Sequence, residues 1–206
     1  MIMGTFDPGL FHNNGYCVTH VSPAFADMAL AIMKAQTYSL EVYNEPNQYS
    51  KSWVDHDYSN PPVYAENREV LKIAFETLAT DPYFSFITKR YGEFTKKTAI
   101  GLKYGKGNAL GWHYDIDDPA LVLMFLYISE DRFTKDDGGQ LRLGRCHVDK
   151  DGIPDLRTVR TLEEITPLHG RLVVLDNTRP TLLHKVNRIM SEKNRYVISG
   201  KLGWTR

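Results

Sequence analysis

The sequence predicts a mainly β domain with supporting helices, of the α+β class. Two patterns carry that expectation. In the second half of the chain, Asp137-Gly138-Gly139 delivers the alternating run Gln140-Leu141-Arg142-Leu143, and Gly170 opens the apolar run Arg171-Leu172-Val173-Val174-Leu175-Asp176. Arg195-Tyr196-Val197-Ile198-Ser199-Gly200 is a third such run. Glycines permit the positive φ of tight turns, and side chains with a period of two mark strands. In the first half, apolar residues recur instead at helical spacing.

Taken in order, His12 to Val21 reads as an opening strand. Ser22-Pro23 then supplies an N-cap and a proline at the first helical position. In the helix that follows, Phe25, Met28, Ala29, Ile32 and Ala35/Gln36 form the core face, with Asp27 and Lys34 turned to solvent. Residues 38 to 63 are polar, aromatic and proline-bearing, which suits a long excursion containing one strand and the role of a lid. A second helix is expected over Val63 to Ala79, with Val70, Leu71, Ala74, Phe75 and Leu78 on one face, and a short one restarts after Asp81-Pro82 over Tyr83 to Arg90. In the strand Leu121 to Ile128, Leu123, Phe125 and Tyr127 share a face.

The chemistry-bearing set is His113-Tyr114-Asp115, His184 and Arg195. Residues i and i+2 of an extended chain project from one face, so His113 and Asp115 can chelate one ion, with His184 coming from a neighbouring strand. Two neutral imidazoles and one carboxylate leave other octahedral positions open, as redox-active non-haem iron requires; a closed structural zinc site would not. His-x-Asp alone is common, and the turn and strand context on both sides gives it weight.

The ordered string resembles the Fe(II)/2-oxoglutarate-dependent dioxygenase superfamily, and within it the prolyl-4-hydroxylase-like branch. The matching pieces are Tyr104 through Asp115, Leu121 to Ile128, the GGQLRL turn at 138–143, Gly170 to Asn177, His184-Lys185-Val186 and Arg195 to Gly200, within roughly residues 100 to 204. The resemblance implies a double-stranded β-helix, a jelly-roll or cupin-like barrel buttressed by N-terminal helices. It implies one domain over 1–206, with support and lid in 1–95 and the barrel in 96–206. Iron is then held by His113, Asp115 and His184, while Arg195 binds the distal carboxylate of 2-oxoglutarate. A planar, permanently charged fork suits that task better than a lysine.

Tyr104 and Tyr127 resemble cosubstrate-contacting positions of that branch. O2 is the second cosubstrate, with ascorbate in a supporting role. The serine that other branches place two residues after the arginine is Val197 here, which favours a tyrosine partner. Asp115 fills the position that halogenating relatives vacate, and Lys201 stands where nucleic-acid demethylating relatives carry a second arginine. The activity implied is hydroxylation of an unactivated C–H bond of a small polar substrate, most simply a free amino acid or related metabolite. A peptidyl hydroxylase is the enzymatic alternative, and a non-catalytic jelly-roll metal- or ligand-binding protein the other.

With 206 residues, 42% hydrophobic and 24% charged, the chain suits one sizeable core. Lys+Arg 25 against Asp+Glu 25 argues against nucleic acid as a partner. Neither a membrane span nor a signal peptide is evident, so a cytoplasmic location is expected. The sequence carries no signal for an oligomeric state. Cys17 and Cys146 are expected to be buried free thiols. Among the remaining polar residues, His56 is a minor candidate for a substrate contact, His147 and His169 read as solvated, and Asp117 and Asp118 cap a turn or meet a cationic substrate.

Overall fold

The computed structural model describes residues 2–3, 8–39, 63–67, 69, 71–72, 75–76, 89, 92, 94, 96–115 and 120–203. Its elements in chain order are β1 (Ile2–Met3), α1 (Pro8–Asn14), β2 (Tyr16–Val21), α2 (Pro23–Lys34), β3 (Tyr38–Ser39), β4 (Val63–Ala65), β5 (Lys96–Tyr104) and β6 (Leu110–His113). There follow β7 (Ala120–Ile128), β8 (Leu141–Val148), β9 (Pro154–Ile165), β10 (Arg171–Asp176), β11 (Leu182–Val186) and β12 (Arg195–Gly203). They form a larger sheet in the order β1-β2-β10-β7-β12-β5-β4-β3 and a smaller one in the order β6-β11-β8-β9. Neighbouring strands in both are antiparallel. This is the mainly β, double-stranded β-helix architecture expected from the sequence.

At its centre the larger sheet is buried on both faces, which explains the unbroken apolar run of β7. Val122, Met124, Leu126 and Ile128 face outward into a cluster with Phe25, Ala29 and Met33 of α2. Leu123, Phe125 and Tyr127 face inward, where they meet Leu141, Leu143, Ile165 and Val186 of the smaller sheet. Each such side chain contributes about 1.5–3 kcal/mol of burial. Strand β12 divides in the same way, with Tyr196, Ile198 and Leu202 outward and Val197 inward.

The strand expected from His12 begins only at Tyr16. Residues before it form α1, which Gly15 ends with a φ of 83°, its N–H returning to the Phe11 carbonyl at 2.9 Å. Helix α2 starts as expected: Pro23 is in its first turn, and the Ser22 hydroxyl accepts from the Phe25 N–H at 3.4 Å. Its buried face differs, however. Ala26 and Met33 are buried with Phe25 and Ala29, whereas Met28 is 44% exposed. The helix approaches the sheet through its alanines, and a Cβ on Gly170 would already lie 3.3 Å from the Ala26 Cβ.

The helix expected from Val63 starts later, because Val63 and Tyr64 pair with Lys103 and Leu102 of β5 and so extend the sheet. Glu69, Leu71, Lys72, Phe75 and Glu76 are helical, with Leu71 and Phe75 buried. Of the short helix at 83–90 only Lys89 lies within the described residues, and it is helical. The lid reading at 40–62, with His56, and the roles of Asp117 and Asp118 fall outside them. Cys17 and Cys146 are buried free thiols, and burial pushes both pKa values up. His147 is exposed. His169 is not simply solvated: its Nδ1 accepts from the Ser129 N–H at 3.3 Å and its Nε2 lies 3.1 Å from Asp27 of α2. No helix among the described residues is long and apolar enough to cross a membrane.

Candidate active site

Strand pairing in the smaller sheet brings two of the expected ligands together. His113 ends β6 and His184 lies on β11, directly opposite it in the antiparallel register. Their ring centroids are 4.0 Å apart. Asp115, two residues past His113, completes the group, and one ligand atom from each residue lies within 4.8 Å of the others. The His184 Nε2 is 3.9 Å from the Asp115 carboxylate, too long for a hydrogen bond, so both groups face a common point.

The protonation of this group suits a cation. His113 Nδ1–H donates to the Gly111 carbonyl at 2.8 Å, and in that tautomer Nε2 presents its lone pair. Burial, reinforced by the neighbouring His113, pushes the His184 pKa down to about 3, so this imidazole is neutral as a metal ligand must be. Phe125 packs on the same ring with centroids 5.3 Å apart. Burial alone would raise the Asp115 carboxyl, but its electrostatic interaction with the neighbouring His184 and His113 rings and with Lys201 outweighs it and holds the group below the usual carboxylate range. Two imidazole nitrogens and one carboxylate form a donor set that fits a divalent iron with coordination positions left open.

A second constellation lies deeper in the barrel. Arg195, the first residue of β12, is 2% exposed and pairs with Tyr104 at the end of β5. Its guanidinium carbon lies 4.5 Å from the Tyr104 ring centroid and 4.8 Å from that of Tyr127. The cation is therefore held between two aromatic faces. Nη1 donates to the Gly139 carbonyl at 2.8 Å. Among the described residues, Arg195 Nε and the Tyr127 hydroxyl are buried without a hydrogen-bond partner. Burial dominates the Tyr127 hydroxyl and raises its pKa in spite of the nearby guanidinium, so it stays protonated as a donor.

Two adjacent buried donors without acceptors are costly, and a carboxylate satisfies both. The residues present therefore fit 2-oxoglutarate as well as iron. Phe125 against His184 and Tyr127 against Arg195 are alternate inward residues of one strand, so the two constellations are separated by on the order of 7 Å of strand.

All six expected residues are thus in the barrel interior: three in the metal group and three around the guanidinium. Others of importance went unrecognised in the sequence. The Tyr114 hydroxyl donates to the Asn177 carbonyl at 2.6 Å, and the Asn177 side-chain amide donates to the Asp115 carbonyl at 3.0 Å. The acceptors are backbone oxygens, for which residue type gives no signal. Lys201 continues the inward series Arg195, Val197 and Ser199 along β12 and is half-buried, between Thr98 and Leu123.

The family model described as the 2OG-Fe(II) oxygenase superfamily matches residues 100–204. No curated protein matches the sequence. Among solved structures, a prolyl-4-hydroxylase from Pseudomonas putida has a TM-score of 0.61 at 18% identity, covering 96% of each chain. A Trichoplax adhaerens prolyl hydroxylase, in complex with a peptide fragment of a hypoxia inducible factor oxygen degradation domain, has a TM-score of 0.64 at 17% identity, covering 95% of this chain and 86% of its own. HygX from Streptomyces hygroscopicus, with nickel, 2-oxoglutarate and hygromycin B bound, has a TM-score of 0.62 at 14% identity, covering 96% and 86%. At these identities the likeness is one of fold.

Proposed function

The chain belongs to the 2OG-Fe(II) oxygenase superfamily, and from that premise we propose that it hydroxylates an unactivated C–H bond of a small polar substrate, a free amino acid or related metabolite. It is a dioxygenase that uses Fe(II) and 2-oxoglutarate, with O2 as cosubstrate. In this reading His113, Asp115 and His184 hold the metal, Arg195 and Tyr127 receive the distal carboxylate of 2-oxoglutarate, and Tyr104 braces the guanidinium. Residues 1–206 act as one domain, with the barrel in 96–206.

Bound iron and 2-oxoglutarate supply the oxidising chemistry, with succinate and CO2 as coproducts. The chain itself contributes placement. Phe125, packed on the His184 ring, belongs with Leu123, Leu143 and Val186 to the apolar cluster inside the barrel and gives the site an apolar wall. The observation that carries the assignment is the pair of buried donors without acceptors, Arg195 Nε and Tyr127 Oη, beside the metal group.

Lys201 favours a compact anionic substrate. It lies at the metal end of the inward face of β12, and its charge reaches both Asp115 and His184. A carboxylate drawn to that ammonium would be held close to the metal. The second reading is a peptidyl hydroxylase, favoured by the prolyl hydroxylases among the similar folds.

The test is anaerobic titration of Fe(II)-loaded protein with 2-oxoglutarate, followed by the visible charge-transfer band, in wild type and Arg195→Ala. A band in wild type that weakens in the variant is expected; iron binding without a band would overturn the assignment. Succinate formation with free amino acids and with proline-bearing peptides then separates the two substrate readings.

A further inference from the structure

The metal carboxylate does not sit on a strand. Strand β6 ends at His113, and Asp115 lies two residues beyond it, in the connection toward β7. Its position must come from contacts outside the sheet ladder, and two of them converge on a single residue 62 positions away. The Tyr114 hydroxyl donates to the main chain of Asn177 at 2.6 Å, and the Asn177 side chain donates to the main chain of Asp115 at 3.0 Å. Each loop thus lends a side chain to the backbone of the other.

The Asn177 end of this arrangement is anchored. Asp176, the last residue of β10, accepts at Oδ1 from the Thr178 N–H (3.2 Å) and hydroxyl (2.6 Å), and at Oδ2 from the Arg179 Nε (3.0 Å). Its own N–H donates to the Gly15 carbonyl at 2.7 Å. The anchored loop then runs directly into β11 and His184. Asn177 itself is buried.

We propose that Tyr114 and Asn177 are positioning residues that clamp the loop bearing Asp115 to the loop leading into His184, and so fix the carboxylate relative to the two imidazoles. Neither side chain touches the metal in this scheme. Alternation turns Tyr114 away from the side shared by His113 and Asp115, and Asn177 acts through the Asp115 backbone. Because the two bonds share both loops, loosening one loosens the other. The proposal rests on the metal-binding role given above to Asp115.

The test uses the full chain and Co(II) as the probe metal. Its affinity is measured by chelator competition and its geometry by the visible d–d spectrum, in wild type, Tyr114→Phe, Asn177→Ala and the double variant. Outer contacts of this kind weaken metal binding by about 10–100-fold when removed. Each single variant is expected to fall in that range with an altered spectrum, while the double is little worse than the weaker single. The melting temperature of metal-free Tyr114→Phe should stay close to wild type, which a merely structural role would not predict.

Wild-type affinity and spectrum in Tyr114→Phe and Asn177→Ala would overturn the clamp alone, as would losses that multiply in the double variant. If Asn177→Ala does not fold, Tyr114→Phe decides by the same criteria. Wild-type protein that takes up no Co(II) would overturn the metal site and the clamp together.

Discussion

Arg195 and Gly139 are joined by a buried hydrogen bond of 2.8 Å that spans 56 residues of chain. The residue assigned to the cosubstrate is thereby tied to the Asp137-Gly138-Gly139 turn, and its fork is oriented before any ligand arrives. Arg195→Lys keeps the charge but loses the fork, the stack between Tyr104 and Tyr127, and the Gly139 bond. Charged hydrogen bonds are worth about 1.5–3 kcal/mol, so 2-oxoglutarate binding is expected to weaken by about 10–150-fold. Anaerobic titration checks this, and unchanged affinity would remove Arg195 from the cosubstrate site.

Tyr127→Phe has opposite expected effects on two measurements. The hydroxyl is buried without an acceptor among the described residues, so removing it relieves a cost and the ligand-free protein should melt at the same temperature or higher. In the presence of 2-oxoglutarate the variant loses a donor, and binding should weaken about tenfold, or roughly 1.4 kcal/mol. Thermal melts with and without 2-oxoglutarate test both; a variant that melts lower without ligand and binds normally would contradict the assignment.

Asp137 predicts a pH dependence. Its carboxylate accepts from Lys193 Nζ at 2.8 Å and from the Thr134 N–H and hydroxyl, each at 2.7 Å. These bonds, led by Lys193, hold its pKa well below the usual carboxylate value, although partial burial opposes them. A depressed folded-state pKa gives stability that is present above the unfolded value, about 3.9, and is lost as pH falls below it. At pH 7, Asp137→Asn should cost about 1–3 kcal/mol. Urea titrations at pH 7 and pH 3 should show the gap between wild type and variant closing at the lower pH; a constant gap would mean that the carboxylate charge does not stabilise the turn.

Gly200 is required by close approach. A Cβ there would lie 1.8 Å from the Phe75 ring, which packs over β12. Gly200→Ala should cost about 1–3 kcal/mol by overpacking, and Phe75→Leu in the same chain should recover part of that. Denaturant unfolding of the two singles and the double checks it, with strict additivity as the contrary result.

Much of this molecule is legible in its sequence, because alternation along a strand is a local rule. It places Leu123, Phe125 and Tyr127 on one face, and it sets His113 and Asp115 on one side of the chain. The capping chemistry of Ser22-Pro23 is equally local. Errors arise where tertiary contacts decide. The phase of α2 is set by the small side chains that meet Gly170, so Met28 is exposed although helical spacing alone admits it to the core. Val63–Ala65 joins the sheet because β5 offers it an edge, and no short apolar run can announce that. Charged residues interrupt the period of β9, which pairs on one side only and carries no expectation from sequence. The bonds among Tyr114, Asp115 and Asn177 end on backbone oxygens and leave no trace in residue type.

Strand β12 sends Arg195, Val197, Ser199 and Lys201 toward the barrel interior and Tyr196, Ile198 and Leu202 toward the helices. Inheritance can therefore act on the two sets separately. Point changes at 199 or 201 alter what the barrel accepts while leaving the outer packing intact, so a lineage can explore new substrates there without losing its fold. A deletion of one residue inside the strand has the reverse character: it reverses the facing of every residue on one side of the gap in a single step, so that inward and outward side chains of that segment change places. In descendants of this gene, divergence in chemistry should accumulate by substitution along β12, and its length should stay constant.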